Sequence, residues 1–510
     1  MFSIARVMKT YILVLLVCIL RIFEINGSLT ETETNPESVK NYWLESGQNY
    51  LEKVSKLALR TNTAKNLIIF MGDGMSLTTI TAARIYNGQI NNRTGESDYL
   101  SFENFPFTGK TKTYCVNKQV PDSACTATAY LCGVKNNIGT IGVTSKVKKN
   151  DCQASIVDDK PESIMQWSQW ARKATGIVTT TRITHASPAG AFAHVSNRDW
   201  ESDEDILKFK DKTNISQCED IAKQLITREP GKNFRVIMGG GRSKFLMKRT
   251  NTTYERSDED LVLRWKNDKK TRVKEENAVY VTNREDLLKI DISNVDYLLG
   301  LFHDSHFDYR LQSDIIKQPT LQEMTKKAIE ILQKENNGYV LFVEGGLIDI
   351  SHHATYAKIA LDETVELSKA VSEAVAMTKE DDTLIVVTSD HAHTMTMAGY
   401  PQRGANILGL ASSTANDDMP YTTLSYANGP KDENMSNCHR MNVTDEYFEK
   451  DNMRYPSLVP LEAETHGGED VMVFARGPWA HLFTGNYEQN IIPLAMAKAA
   501  QLPLEKPTSA

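Results

Sequence analysis

The segment at 343–353 combines residue types that bind zinc with a spacing that brings them together. A short apolar run ends in Glu344, and Asp349 and His353 follow four residues apart. On a helix that spacing places both side chains on one face, and a carboxylate with an imidazole is a ligand pair that suits zinc. Such a pair also occurs as an ordinary contact on a helix surface, so it indicates a metal site only when other ligands accompany it.

Three further clusters supply such ligands next to predicted strands. Asp73 stands between two glycines at the end of one apolar run, and His466 precedes another. Asp390, His391 and His393 directly follow a third run. Each cluster alone could be a turn or a strand cap, but together the clusters favour a metal centre.

A candidate nucleophile lies at 121–130, where the pattern predicts a helix that begins near Ser123. Small side chains there would allow other groups to approach closely. The hydroxyl would lie near the positive end of the helix dipole, which stabilises a phosphoryl group. The alternative is a serine that only caps the helix.

Buried strands and covering helices must position these residues. Short apolar runs, typical of strands buried on both faces, occur at 66–71, 176–179, 234–238, 340–343, 383–388 and 470–474. Helical patterns lie between them at 161–175, 322–334 and 358–378. The predicted fold class is therefore α/β, with a large central, mostly parallel sheet flanked by helices. Because ligands bind beyond the carboxyl ends of such strands, we expect the candidate residues to meet at one edge.

Composition and patterning set further limits. The 510 residues are 41% hydrophobic and 24% charged, which excludes a disordered chain. With 58 Lys and Arg against 65 Asp and Glu, the net charge is −7, so we expect no nucleic-acid partner. The segments 249–276 and 412–460 show no convincing apolar period and are predicted to be insertions.

The two ends of the chain predict export. Basic residues, an apolar stretch at 11–20 and small residues near 27 follow the order of a signal peptide, so we expect residues 1–27 to be removed. The last residues are not a hydrophobic tail, so no membrane anchor is evident and we expect a secreted, extracellular protein.

N-glycosylation acceptor sites in the remaining chain are Asn92, Asn214, Asn251, Asn434 and Asn442. Export also predicts pairing among the six cysteines that remain when Cys18 is removed, but sequence alone leaves their connectivity open.

Several segments together resemble the animal alkaline phosphatases. They are Asp-Ser-Ala-x-Thr-Ala-Thr-Ala at 122–129, Val-Glu-Gly-Gly-x-Ile-Asp at 343–349, Thr-x-Asp-His-x-His at 388–393 and Glu-Thr-His-Gly-Gly-Glu-Asp at 464–470, with further matches at 66–75 and 179–188. The resemblance runs from about Trp43 to about Leu502 and looks closest to the insect members. It implies one alkaline phosphatase domain over 28–510, with 412–460 as a small inserted crown region.

The resemblance implies a secreted hydrolase of phosphate monoesters that uses two zinc ions and one magnesium ion per subunit. Ser123 would be the nucleophile that forms a phosphoserine. The implied ligands are Asp349, His353 and His466 for one zinc, Asp73, Asp390 and His391 for the other, and Asp73, Ser187 and Glu344 for magnesium.

It also implies supporting roles. Arg198 would grip two phosphoryl oxygens, although a surface salt bridge is the alternative for this residue. His185 would lie near the magnesium, and Tyr400 would reach the partner subunit's site in a homodimer. Cys152 and Cys218 would form a disulfide, and Cys132 would be free and buried. Cys115 and Cys125 are extra relative to vertebrate members and close in sequence, and we hypothesise that they pair.

The chain departs from the family pattern at two places. Family members often have His or Lys directly after the aspartate of Ile-Asp, where this chain has Ile350, so the rate and pH optimum stay open. His303 and Gln318 stand where vertebrate members have acidic calcium ligands, and no calcium is predicted.

Other functions fit the sequence less well. The sulfatase signature, Cys or Ser followed by x-Pro-x-Arg, is absent. The stretch 109–111 resembles the end of a phosphate-binding loop but lacks the required upstream glycine. A related phosphodiesterase or sulfatase-type hydrolase, and a secreted binding protein that has lost turnover, are the alternatives.

Overall fold

The computed structural model describes residues 36–208, 217–250, 252–430, 440, 442–444 and 450–508. The predicted signal peptide at 1–27, Asn214, Asn251, Asn434 and Cys438 lie outside these residues. The chain divides after residue 58 into two units. Within the described ranges, no helix has both the length and the apolar character that a bilayer span requires.

The second unit contains the strands of the structure. They are β1 Asn66–Gly72, β2 Phe107–Lys112, β3 Ala174–Arg182, β4 Val236–Gly240, β5 Ala278–Val281, β6 Tyr297–Leu301, β7 Tyr339–Gly345, β8 Thr383–Thr388, β9 Ala392–His393, β10 Met395–Met397, β11 Leu424–Gly429, β12 Ser457–Pro460, β13 His466–Gly467, β14 Val471–Arg476 and β15 Gly485–Glu488. Ten of them form one sheet in the order β15-β2-β14-β8-β1-β7-β3-β4-β6-β5. Only β14 runs antiparallel to its neighbours in this sheet, so the predicted large, mostly parallel sheet is confirmed.

Apolar side chains bury both faces of the central strands. In β1, Leu67, Ile69 and Met71 belong to one core cluster, while Ile68 and Phe70 belong to another. This alternation follows from the two-residue period of a strand. Because both clusters are buried, a continuous apolar run predicts such a strand better than an alternating one does.

Helices cover the sheet and connect its strands. The α-helices are α1 Lys40–Ser55, in the first unit, and α2 Leu77–Ile90, α3 Ser123–Cys132, α4 Cys152–Val157, α5 Ile164–Trp170, α6 Ala186–Ala189, α7 Asp203–Lys208, α8 Ile221–Thr227, α9 Leu261–Lys270, α10 Arg284–Lys289, α11 Leu321–Leu332, α12 Leu347–His353, α13 Ala357–Met377 and α14 Ile491–Ala500. Short 3₁₀ helices occur at Pro36–Ser38, Ser101–Asn104, Gly231–Asn233, Arg242–Lys244, Glu275–Asn277, Ile292–Asn294 and Ala480–Phe483.

Two helices differ from the sequence-based expectation. The charged segment 249–276 contains α9, in which Trp265 and Lys269 are each 1% exposed. Lys269 Nζ lies 2.7 Å from Oδ2 of Asp268 and 4.9 Å from the ring centre of Tyr297, and these partners compensate a charge that obscured the apolar period. The helix predicted at 161–175 is shorter, because Arg172 adopts a left-handed φ of 59° and β3 begins two residues later.

The predicted insertion 412–460 contributes two strands to a separate small sheet. There β11 pairs with β12 and with β10, which precedes the insertion. The sheet therefore combines residues from inside and outside the predicted boundaries.

Two disulfides cross-link the described chain. One joins Cys152 to Cys218, and the other joins Cys115 to Cys125, as we hypothesised. Cys132 is a buried thiol outside both. The acceptor residues Asn92 and Asn442 are exposed.

Helix α13 buries an acidic side chain that has no cationic partner in direct contact among the residues that the structure describes. Glu363 is 4% exposed, and its carboxylate accepts a hydrogen bond of 2.7 Å from the backbone N–H of Arg310. Burial, reinforced by the charges of Asp362 and Glu366, raises the pKa of Glu363 to about 8. This carboxyl group therefore destabilises the fold when it ionises.

Replacing Glu363 by glutamine should raise the melting temperature at alkaline pH. The folded-state pKa of about 8 lies above the ordinary value of about 4.3, so the unfolded chain ionises first and stability falls as the pH rises between these values. E363Q keeps an acceptor for Arg310 and cannot ionise. Its gain over the wild type should be largest above about pH 8 and should shrink toward about pH 5. E285Q, at a side chain that is 64% exposed, is the control. If E363Q raised the melting temperature equally at every pH, the raised pKa of Glu363 would be contradicted.

Candidate active site

The site lies at the carboxyl ends of four adjacent strands. Parallel register places Met71 of β1 beside Glu344 of β7 and beside Thr388 of β8. The same register places Thr179 of β3 beside Glu344. Residues that follow these strands must therefore converge, as the position of ligand sites in open α/β sheets predicts.

A first cluster gathers one carboxylate and three imidazoles. Asp349, His353, His393 and His466 offer ligand atoms that all lie within 4.8 Å of one another. Helix α12 carries Asp349 and His353 on one face, as the spacing predicted, and Nε2 of His353 lies 3.3 Å from Oδ1 of Asp349. His466 approaches the same oxygen at 3.3 Å. The spacing of their ligand atoms suits a tetrahedral cation such as zinc.

Backbone carbonyl groups orient two of these imidazoles. Nδ1 of His353 donates to the carbonyl oxygen of Glu464 at 2.5 Å, and Nδ1 of His466 donates to that of Pro121 at 2.8 Å. In the neutral tautomer that these contacts favour, the lone pair on Nε2 of each ring faces the cluster, where it can bind a cation. Such outer partners fix the tautomer and the ring orientation of metal-binding histidines.

His393 is the site residue whose role the sequence did not predict. Its Nε2 lies 2.7 Å from Oδ1 of Asp349, and its Nδ1 lies 2.5 Å from Oε2 of Glu464. Burial lowers the pKa of His393, but Glu464 and Asp349 more than offset this and raise it to about 9. Because both of its ring nitrogens contact carboxylates, His393 holds Asp349 in position between the imidazoles of the first cluster. The Asp-His-x-His pattern marked His393, but spacing alone could not identify its partner Glu464.

A second cluster consists of Asp73, Asp390 and His391, all buried, with ligand atoms within 4.8 Å. Nε2 of His391 lies 3.2 Å from Oδ2 of Asp390 and 3.5 Å from Oδ1 of Asp73. Burial, together with the charges of Asp390, Asp349 and Glu344, raises the pKa of Asp73 well above its ordinary range. Burial lowers the pKa of His391 well below its usual value, so the ring is neutral. The cluster therefore favours a bound cation that stabilises both ionised carboxylates.

A third group shares Asp73 with the second cluster and adds Glu344 and His185. Ser187 Oγ donates to Oδ2 of Asp73 at 3.1 Å. Glu344 Oε2 accepts from the hydroxyl of Thr179, but among the described residues Oε1 of Glu344 and Nδ1 of His185 are buried without a hydrogen-bond partner. Burial raises the pKa of Glu344 to about 7. An oxygen-rich site with an orphaned carboxylate oxygen fits a hard cation such as magnesium.

Ser123 lies between the clusters as the first residue of α3. Its Oγ is 3.1 Å from Nε2 of His391 and 3.5 Å from Oδ1 of Asp73. The helix cap is Asp122, which accepts from the backbone N–H of Cys125 at 3.2 Å. The serine hydroxyl is therefore not needed for capping and faces the second cluster.

Arg198 lies beside the N-terminus of α3. Its Nη1 contacts Oδ2 of Asp122 at 3.1 Å, and its Nη2 contacts Nε2 of His185 at 3.1 Å. The salt bridge considered as an alternative is thus real, but its partner is the cap of α3 and not a surface acid. Tyr400, by contrast, is 99% exposed and does not belong to the buried clusters.

Close packing at Gly74 predicts that a methyl group there will disturb the site. Gly74 has a φ of +69°, and an added Cβ would lie 2.4 Å from Cδ2 of His393. G74A should therefore displace His393 and weaken zinc binding at least about tenfold, as measured by competition with a chelator. G485A introduces alanine at a φ of +96° with no atom within 4 Å of the added Cβ, so it controls for backbone strain. Equal zinc affinity of G74A and the wild type would contradict the prediction.

Comparisons with known proteins agree on one family. The alkaline phosphatase family model matches residues 64–502. A membrane-bound alkaline phosphatase of Bombyx mori is 46% identical over 480 residues, covering 92% of this chain and 86% of the relative. The tissue-nonspecific alkaline phosphatase of Mus musculus is 45% identical over 488 residues, covering 93% and 90%.

A solved structure supports the fold independently. The alkaline phosphatase of the Antarctic bacterium TAB5 superposes with a TM-score of 0.60 at 22% identity, covering 88% of this chain and all of that one. The family match and the identities of the relatives confirm the resemblance found in the motifs. The chain therefore belongs to the alkaline phosphatase family and is a phosphomonoester hydrolase.

Proposed function

We propose that this protein is a secreted alkaline phosphatase that acts through a phosphoserine on Ser123, with two zinc ions and one magnesium ion per subunit. The observation that carries the proposal is the position of Ser123 Oγ, which faces His391 and Asp73 at 3.1 and 3.5 Å. A serine hydroxyl is a weak nucleophile unless a neighbouring base or cation activates it. The second cluster lies where such a cation is required.

The chemistry of each donor set supports the metal assignment. The imidazole-rich first cluster suits zinc, and the oxygen-rich group around Glu344 suits magnesium. The proposed ligands are Asp349, His353 and His466 for the first zinc, Asp73, Asp390 and His391 for the second, and Asp73, Ser187 and Glu344 for magnesium. His185 is proposed to lie in the outer shell of the magnesium.

The reaction would proceed in two displacements. When bound, the metal ions would lower the pKa of the serine hydroxyl and neutralise charge on the phosphoryl group. Ser123 Oγ attacks phosphorus, the bond to the ester oxygen breaks, and the alcohol leaves with a proton. Water then attacks the phosphoserine, which releases inorganic phosphate and restores the hydroxyl. Two in-line steps give net retention at phosphorus.

Arg198 would hold the phosphoryl group during both steps. Its contacts with Asp122 and His185 fix the plane of the guanidinium group beside Ser123. The remaining N–H groups of this planar fork can donate to two phosphoryl oxygens at once. Arg198 is therefore proposed to bind substrate and to stabilise the charge that develops on it.

Export and dimerisation have separate support. Two disulfides, Cys115–Cys125 and Cys152–Cys218, are typical of an oxidising compartment. The exposed acceptor residues Asn92 and Asn442 are accessible to glycosylation. Tyr400 is 99% exposed at a left-handed φ of 53°, which supports its proposed contact with the partner subunit of a homodimer.

Hydrolysis of p-nitrophenyl phosphate by the purified full-length protein tests the function. Activity should rise above about pH 8, disappear on chelation and return when zinc and magnesium are added, because cations activate the nucleophile in place of a base that titrates near neutrality. The melting temperature should fall with chelation and recover with metal. A folded, zinc-loaded protein without hydrolysis would instead favour the binding-protein alternative.

Substituting Ser123 tests the covalent step. S123A should lower kcat by at least about a thousandfold, because the remaining groups can activate only water. Quenching the wild type at acid pH with substrate present should trap a phosphoserine on the peptide that contains residue 123. S145A, at an exposed serine, should retain both activity and the trapped phosphoserine. Phosphate trapped on another residue would assign the nucleophile elsewhere.

A further inference from the structure

The disulfide between Cys115 and Cys125 lies next to the nucleophile, yet neither sulfur takes part in the proposed chemistry. Cys115 follows β2, and Cys125 lies in the first turn of α3, two residues after Ser123. Their Cα atoms are 5.8 Å apart, and both residues are 2% exposed. The bond therefore closes a covalent ring of residues 115–125 at the edge of the active site.

Three groups that belong to the active site lie inside this ring. The carbonyl oxygen of Pro121 accepts the hydrogen bond from Nδ1 of His466 at 2.8 Å. The carboxylate of Asp122 contacts Arg198 at 3.1 Å. Ser123 itself is the third. The ring thus contains the nucleophile, the partner of the phosphate-binding arginine and the acceptor that orients a proposed zinc ligand.

Other interactions hold the start of the ring and Asp122, near its end. The backbone N–H of Val116 donates to the carbonyl of Asn136 at 2.9 Å, and Asn117 accepts from the N–H of Ile138 at 2.9 Å. Residues 116–120 are exposed. The path from this exposed stretch to Pro121 is therefore constrained by the disulfide on one side and by Asp122 on the other.

Residues of this ring could instead be interpreted as a metal site. Cys115, Asp122 and Cys125 offer ligand atoms within 4.8 Å of one another. Both sulfurs, however, are bonded to each other, and Asp122 already accepts from the backbone N–H groups of Cys125 and Gly139 and pairs with Arg198. These contacts favour a role in positioning neighbouring groups over a role in binding a metal ion.

We infer that the Cys115–Cys125 disulfide is a positioning device that holds Pro121 and Asp122 in the geometry required by His466 and Arg198. This inference rests on the proposed function. Closing the ring limits the conformations of the exposed stretch, so the buried Pro121 that follows it keeps its carbonyl oxygen in place for His466. Opening the ring lets Pro121 move and removes the acceptor from Nδ1 of His466. Loss of such an outer partner typically weakens metal binding by about 10- to 100-fold.

The test compares C115A/C125A with C152A/C218A in the full-length holoenzyme. The first variant opens the ring, and the second opens the disulfide that lies in the small core cluster with Trp200. Three quantities are measured: the rate at which a chromogenic chelator removes zinc, the inhibition constant for inorganic phosphate, and kcat/KM for p-nitrophenyl phosphate. We expect C115A/C125A to release zinc at least about tenfold faster and to bind phosphate more weakly. C152A/C218A should melt earlier but keep both values near those of the wild type.

The outcomes separate the inference from the function on which it rests. If the wild type holds zinc and turns over, and C115A/C125A matches it in zinc release and phosphate binding, the inference is overturned. If C152A/C218A changes both values as much as C115A/C125A does, the effect is general destabilisation and the inference is also overturned. A folded wild type that neither binds zinc nor hydrolyses the ester overturns the proposed function first.

A second measurement applies if C115A/C125A does not fold. The folded, zinc-loaded wild type is reduced in graded steps, alkylated and mapped to find the fraction with the ring open. Hydrogen exchange at residues 116–122 and zinc release should both increase in proportion to that fraction. Faster exchange without faster zinc release would show that the ring does not position His466.

Discussion

Four carboxylate groups are buried in one site, and the cost of placing them together is the constraint on which the rest of the structure depends. Asp73, Glu344, Asp349 and Asp390 are each at most 4% exposed. Buried like charges are costly unless cations compensate them. Imidazoles compensate Asp349. Burial raises the pKa of this carboxyl group, but His353 and His393 outweigh burial and bring the pKa well below its ordinary value. The charge of Arg198 lowers the pKa of Asp73, and that of His466 lowers the pKa of Asp390, but burial outweighs both and leaves the two pKa values raised. The site therefore favours divalent cations.

The parallel sheet makes this concentration of charge possible. Strands β1, β7, β8 and β3 end at the same edge, and each delivers a polar residue directly from a rigid, fully buried strand. Ligands placed on strand ends and on the short helix α12 are held more precisely than ligands on long loops. Outer partners complete the arrangement: Glu464 holds both His353 and His393, and Asp122 links α3 to Arg198.

How much could be predicted from the sequence depended on whether a feature is local. The central strands are continuous apolar runs, and the spacing of Asp349 and His353 places them on one face of α12, so both were predictable. The ligand sets came from the resemblance to a family. Helix α9 was missed because Lys269 is buried, and its ammonium group is held by the carbonyl oxygen of Lys232 and the ring of Tyr297, both distant in sequence, as well as by Asp268. The role of His393 was missed for the same reason, since it depends on Glu464, 71 residues further along the chain. That Asp122 and not Ser123 caps α3 could not be decided from composition, because both residue types are good caps.

The pairing of β13 with β9 has a consequence for biosynthesis. It brings His466, near the end of the 510-residue chain, against His393 and completes the first cluster. The second cluster, by contrast, is encoded entirely within the first 391 residues. During synthesis the first cluster therefore cannot form until His466 has been made, whereas every member of the second cluster is already present after residue 391. Formation of the first cluster thus requires that β13 has paired with β9, and not only that the amino-terminal part of the domain has folded.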